Sequence, residues 1–321
     1  MSTNKPEKLI NKIMPLDLAP VIVFAYKRKE ELEKTITALS QCTLAEETDL
    51  FVFSDGSKTE KDIEKVMEVR EYIQNITGFK KVTYFFSDKN KGLGKSIIGG
   101  VTKIFDQYAS VIVLEDDLVA SKNFLQYMNS SLNHYQTETK VFSISGYNYP
   151  FKIKKGEVND VYFLPRPCST GWGTWKNRWQ GIDWEMKDFE EFSKDKKSIA
   201  EFKRGGTDIF GMLKRQQAGK IDSWAIRWSY HQHKINSLTA YPILSKIKNI
   251  GFSNDATNSN IYNKYASSFD MEHRESFTYP PTVQVDKFYQ RQLLHFYSIQ
   301  SRIKNKILTY LCNKGIIKNK E

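Results

Sequence analysis

Three acids, Glu115, Asp116 and Asp117, follow directly on the apolar run at positions 111–114. A short β-branched run of this kind reads as an inner strand of an α/β sheet, and ligands of such sheets bind at the carboxyl ends of the strands. Adjacent carboxylates repel one another, so a positive partner is expected among them, most simply a divalent cation. Hard oxygen ligands suit Mg²⁺ or Mn²⁺, ions that neutralise diphosphates. The alternative is that the acids cap the next helix near Ser121, and the triplet alone does not choose between the two.

Other residues add chemistry. Asp55, in the turn Ser54-Asp55-Gly56-Ser57, is either an Asx-turn residue or an acceptor for a base imide or ribose hydroxyl. The turn at 89–96 ends in Gly94-Lys95-Ser96, as a P-loop does, but Lys89 stands where the first P-loop glycine belongs. A β-carbon there obstructs the wrap of backbone amides around phosphate. Gly92 and Gly94 can still let a helix N-terminus approach a diphosphate, with Lys91 or Lys95 beside it. Asp222, before Ser223 and Trp224, is an N-cap, or a general base if its helix starts at the pocket. All six tryptophans lie between positions 172 and 228. Large rings fill cores and also stack on sugars. The segment Gly171-Trp172-Gly173-Thr174-Trp175 brackets rings with glycines and reads as a shaped loop, so two of the six tryptophans are expected to face a ligand and four the core. His231 and His233 diverge at their i, i+2 spacing and suggest no metal site.

The elements that must position these residues follow a clear rhythm. Strands are expected at 20–26, 49–53, 81–86, 110–114 and 141–145, and helices at 27–40, 59–74, 92–108 and 121–135. Such alternation implies a mainly parallel sheet flanked by helices. The chain divides on this reading into a polar lead (1–18), a half of regular strand–helix alternation (19–145), an aromatic-rich half (146–280) and a basic helical tail (281–321). The net charge of +11 selects no partner by itself. No compact basic motif interleaved with aromatics appears, which speaks against a nucleic-acid partner. Cys42, Cys168 and Cys312 are far apart and odd in number, as in a reducing compartment. The start of the chain lacks the apolar stretch of a signal peptide and no run is long enough to span a bilayer, so a cytoplasmic protein is expected.

Taken together, the sequence resembles nucleotide-sugar glycosyltransferases of GT-A fold, and among them the N-acetylglucosaminyltransferase I family and its bacterial relatives. The run from Pro20 to Arg28 looks like that family's first strand and arginine-bearing turn, and Asp55 matches its nucleoside-binding acid. Glu115-Asp116-Asp117 matches its metal-binding triplet, and Gly171-Trp172-Gly173 its Gly-Trp segment before the acceptor site. Asp222-Ser223-Trp224 is similar to the family's Asp-Asp-Trp, with Ser223 in place of the second acid. The stretch 249–258 resembles the loop that closes over the donor, with Asn258 where a histidine is common.

The resemblance implies an inverting transfer from a UDP-sugar to a glycan hydroxyl, and makes 19–145 the nucleotide-sugar-binding half and 146–280 the acceptor half. Asp117 would ligate Mn²⁺ or Mg²⁺. Glu115 and Asp116 would orient ribose or sugar hydroxyls, Asp55 and Arg28 would hold the uridine end, and Lys95 would sit near the diphosphate. Asp222 would be the base, and Trp172, Trp175 and Trp224 would bind the acceptor. Two other functions compete: a P-loop-like nucleotide hydrolase, and a non-catalytic carbohydrate-binding protein, which would not need an acid-ended strand. In the tail, residues 302–320 carry Arg302, Lys304, Lys306, Lys314, Lys318 and Lys320 and no acid. They form either a solvated helix end or a peripheral contact with an anionic inner leaflet, where a lipid-linked glycan acceptor would lie.

Overall fold

The computed structural model describes residues 18–251, 262–272 and 274–317. The first half runs β1 (Val21–Ala25), α1 (Lys29–Ser40), β2 (Asp49–Ser54), α2 (Ile63–Gln74), β3 (Lys81–Phe86), α3 (Leu93–Ile104), β4 (Ser110–Glu115), β5 (Leu118–Ala120), α4 (Phe124–His134) and β6 (Val141–Ser145). The expected alternation is present, with two displaced boundaries. The helix expected to reach Tyr108 stops at Ile104, because Tyr108 turns to the sheet, where its hydroxyl donates to Asp49 (2.8 Å) and its ring packs edge-on to Phe51. The helix expected from Ser121 begins at Phe124, after β5.

The second half contains β7 (Val161–Leu164), β8 (Trp172–Trp175), α5 (Lys176–Trp179), α6 (Phe189–Phe192), α7 (Lys196–Phe202), α8 (Ile209–Gln217), α9 (Trp224–Lys234), β9 (Leu238–Pro242), β10 (Ile247–Asn249), α10 (Lys287–Phe296) and α11 (Ile299–Asn313). One sheet of eight strands, in the order β3-β2-β1-β4-β8-β6-β9-β7, joins both halves, and β10 pairs with β5 beside it. Strands β3, β2, β1 and β4 are parallel, whereas β8 runs antiparallel to both β4 and β6. The sheet is therefore parallel where the acids lie and mixed beyond.

Alternation along β1 explains the layers, since successive side chains of a strand point to opposite faces. Val21, Val23 and Ala25 pack with Leu32, Ile36 and Leu39 of α1 on one face. Ile22 and Phe24 pack with Ile97, Val101 and Ile104 of α3 on the other, where Trp224 and Trp228 of α9 join the same core.

The glycine-bracketed tryptophan segment is a buried inner strand rather than a shaped loop. Trp172 and Trp175 lie on opposite faces of β8, in the two separate cores. Gly173 serves packing: a Cβ there would lie 3.0 Å from Met128 Cε of α4 and from the Val111 carbonyl oxygen of β4.

Candidate active site

The carboxyl ends of β1, β2 and β4 open onto a cleft of about 420 Å³ lined by Arg28, Asp55, Glu115, Asp116 and Asp117. Strand register brings them together. Ala25 pairs with Ser54 and Phe24 with Glu115, so Asp55 and Asp116 leave their strands within one residue of the same level on either side of β1.

Arg28 forms ion pairs with Asp116 and with Asp117, the latter at 2.9 Å. Thr35 of α1 fixes the acid turn: its hydroxyl donates to the Asp116 carbonyl (2.9 Å) and accepts from the Leu118 amide (3.1 Å). Burial, with the neighbouring Asp117 and Asp116, pushes Glu115 up to about 8. Burial also lifts Asp116 to about 6 against the opposing pull of Arg28. Burial disfavours the charge on Arg28, but the two carboxylates outweigh it and raise its pKa. The positive partner anticipated among the acids is thus Arg28, a residue expected instead at the uridine end of a donor.

Three carboxyl groups around one guanidinium are only partly balanced, and the raised pKa of Glu115 reflects its burial first and the neighbouring acids second. Among the described residues no three acidic, histidine or cysteine side chains form a ready-made metal cage. A cation that takes one or two carboxylates and completes its shell with phosphate and water needs no such cage. The donor set fits that kind of ion.

Asp55 holds the glycine turn. Its carboxylate accepts from the amides of Gly56 (2.9 Å), Lys91 (2.9 Å) and Gly92 (2.9 Å), while Asn90 Nδ2 donates to the Gly56 carbonyl (2.8 Å). The two turns touch so closely that a Cβ at Gly56 would meet the Lys89 carbonyl carbon at 2.6 Å. Gly92, at φ +77, then leads into α3, whose first residues line the cleft. The amides a P-loop would offer to phosphate are here spent on Asp55, which removes the support for the hydrolase reading. Lys95 is exposed and borders a separate cavity of about 330 Å³ with Lys91 and Lys103. It does not line the acid cleft, because the first turn of α3 carries it to the other side.

Asp222 is 62% exposed and pairs with Arg227 at 3.3 Å. The N-cap of α9 is Ser223, whose hydroxyl accepts from the Ile226 amide (3.4 Å), so capping does not occupy Asp222. A Cβ at Gly94 would lie 3.1 Å from Asp222 Oδ1. Asp222 therefore stands at the N-terminal turn of α3, beside the cleft that Gly92 lines.

The three tryptophans expected to bind acceptor do not offer their faces. Trp172, Trp175 and Trp224 are 1%, 3% and 4% exposed, and among all six only Trp184 is more than marginally accessible. Trp172 packs on Trp179, Trp224 and Trp228, with ring centroids 4.5 to 5.7 Å apart. Their place is structural: the cluster seats α9 on the sheet and so sets where Asp222 stands.

Of the loop expected to close over the donor, residues 249–251 are described, and Asn258 lies outside the described residues. The Ile250 amide donates to the Asp117 carbonyl (2.9 Å), and Gly251 abuts the Asp117 carboxylate with no room for a Cβ. The cleft also takes Tyr26, Phe53, Lys58 and Asn90. Sequence reasoning missed these four as site residues, since only strand register shows that the ends of three separate elements share one wall. Lys58 and Asn90 did lie within or beside the singled-out turns.

A mixed sheet flanked by helices, parallel where its carboxyl edge carries the acid triplet, has the architecture of the GT-A class. The chain belongs to glycosyl transferase family 2, whose family model matches residues 21–192, more than half of its length. It is a glycosyltransferase. No curated protein matches its sequence. Among solved structures it is similar to the mannosyltransferase PcManGT from Pyrobaculum calidifontis in complex with GDP-Man and Mn²⁺. That match has 11% identity and a TM-score of 0.39, over 70% of this chain and 73% of the other. It is also similar to S. aureus TarS, with 12% identity and a TM-score of 0.31, over 46% of this chain and 25% of the other. Neither similarity bears on individual residues here.

Proposed function

We propose that the protein is an inverting glycosyltransferase that takes a hexose or N-acetylhexosamine from a UDP-sugar and passes it to a glycan hydroxyl. One observation carries the reading: the acid end of β4, balanced only in part by Arg28, shares a cleft of about 420 Å³ with the N-terminus of α3. Asp117 is the less buried of the two Arg28 partners, 14% exposed against 5% for Asp116, and would hold Mn²⁺ or Mg²⁺. Such an ion, when bound, neutralises charge developing on the departing diphosphate. The positive end of the α3 dipole favours the same anion. Glu115 and Asp116 orient ribose or sugar hydroxyls. Arg28 holds the nucleoside end together with Asp55, which acts through the turn it fixes. Asp222 takes the proton of the acceptor hydroxyl as that oxygen attacks the anomeric carbon, and UDP departs from the opposite face.

The likeness to the N-acetylglucosaminyltransferase I group rests on Asp222-Ser223-Trp224 standing beside this cleft. We assign donor binding to residues 19–145 and acceptor binding to 146–280. The tail, 281–321, is read as a peripheral contact with the inner face of the cell membrane, in the cytoplasm, where a lipid-linked glycan would be met. Two observations support that placement. Ile299, Ile303, Ile307 and Tyr310 are exposed along α11, flanked by Arg302, Lys304 and Lys306. No helix among the described residues is long and apolar enough to cross a membrane. The core test is release of UDP from UDP-sugars with Mn²⁺ and with EDTA. Release is expected only with the metal, and undiminished turnover in EDTA overturns the reading.

A further inference from the structure

We propose that the acceptor is a saccharide, seated in a tyrosine-lined cavity of about 330 Å³ whose wall includes the residue after Asp222. The inference rests on the transferase reading above and replaces the tryptophans as the acceptor surface.

Position argues for it first. Ser223, adjacent to Asp222, forms part of the cavity wall, and Asn249 forms another part. The residue after Asn249 donates its amide to the Asp117 carbonyl. The cavity thus reaches to one residue from Asp222 and, through Asn249-Ile250, to one hydrogen bond from the acid turn, and Asp222 in turn stands by the first turn of α3 at the donor cleft. A hydroxyl leaving this cavity meets Asp222 on its way to the donor.

Chemistry argues next. Tyr265, partly exposed, supplies a ring, Ser169 and Thr170 supply hydroxyls, and the buried Tyr147, Tyr149 and Tyr297 back the wall. Rings beside hydroxyls suit the apolar faces and polar edges of a sugar. The one strongly charged wall residue, Arg166, is already neutralised: it forms a fork with Asp208 at 2.9 and 3.0 Å and lies 3.8 Å from the Tyr297 ring centroid. Lys264 adds a second cation behind the wall, 5.1 and 4.9 Å from the Tyr265 and Tyr297 ring centroids. The wall is also preformed, because the Tyr149 and Tyr297 hydroxyls bond each other (3.1 Å) and the Tyr147 hydroxyl donates to the Tyr265 carbonyl (2.7 Å).

The test plugs the cavity from two sides, with Met212→Trp on α8 and Ser229→Phe on α9, each checked for folding by thermal melting. Saturation-transfer NMR with methyl glycosides of neutral hexoses and N-acetylhexosamines reads binding without any turnover. UDP release without acceptor, in Mn²⁺, reads donor handling. Wild type is expected to bind neutral glycosides at millimolar concentration and the plugged variants to lose about tenfold or more of that binding, with UDP release within about twofold of wild type. Binding that survives both plugs, no binding by wild type, or parallel loss of UDP release overturns the proposal. If the plugs abolish glycoside binding while wild type turns over no nucleotide sugar, the cavity stands as a saccharide site and the transferase reading falls.

Discussion

At the scale of residues, the cleft is governed by an imbalance of charge. Asp117→Ala is expected to cost on the order of 10²-fold or more in metal-dependent UDP release, as loss of a main charge-stabilising element does. The same imbalance gives a pH dependence. Glu115 is raised from 4.5 to about 8 in the folded protein. A raised acid contributes stability that is full below its unfolded pKa and is lost as pH climbs through the folded one. The metal-free protein should thus lose stability between about pH 4.5 and 8. Glu115→Gln should remove that loss, stabilising the metal-free protein at pH 8.5 by on the order of a few kcal/mol in denaturant titrations, while weakening the donor site. Equal melting of the two proteins at that pH would contradict the assignment. Asp222→Asn keeps the size of the side chain but takes no proton, so donor binding should be near normal and transfer strongly reduced. Normal transfer would move the base to Asp183, whose carboxylate already accepts from the Glu185 and Lys187 amides, or to Asp255, outside the described residues.

At the scale of elements, the structure ties two helices to one site. Asp55 pins the turn before α3, and the tryptophan cluster pins α9 across it, so the N-terminal ends of both helices converge on the acid strand. Trp172→Ala is therefore expected to behave as a core truncation, costing about 3–5 kcal/mol of unfolding free energy. A sugar platform would instead lose ligand with little change in Tm. Thermal or urea unfolding decides between them. Composition made both roles available to these rings. Only the pairing of β8 between β4 and β6 buries them.

At the scale of the whole molecule, basic charge and an unpartnered helix face coincide at the end of the chain. No residue of α11 is buried, and Ile299, Ile303, Ile307 and Tyr310 follow helical spacing on one exposed stripe. Each basic residue near an anionic leaflet contributes roughly 1 kcal/mol, screened within a Debye length. The full-length protein is expected to float with anionic liposomes at low salt, less so at high salt, and not after removal of residues 302–321. Indifference to liposomes at low salt would make the tail structural.

Local pattern was enough for the strand-helix alternation, the acid-ended fourth strand and the glycine turn before α3, because hydrophobic period and turn chemistry are carried by neighbouring residues. The same locality left Asp222 open between cap and base. The structure gives the cap to Ser223, a choice that depends on backbone geometry at the helix start. It was equally silent on what pairs with Asp116 and Asp117. Arg28 does so from another strand end, and nothing near it in sequence announces the pairing. The burial of the tryptophans, the displacement of Lys95 to a second cavity and the tyrosine pocket beside Asp222 all depend on contacts between residues far apart in the chain. Those contacts exist only once β8 has entered the sheet and α9 has packed across α3, so they were decided by the tertiary structure alone.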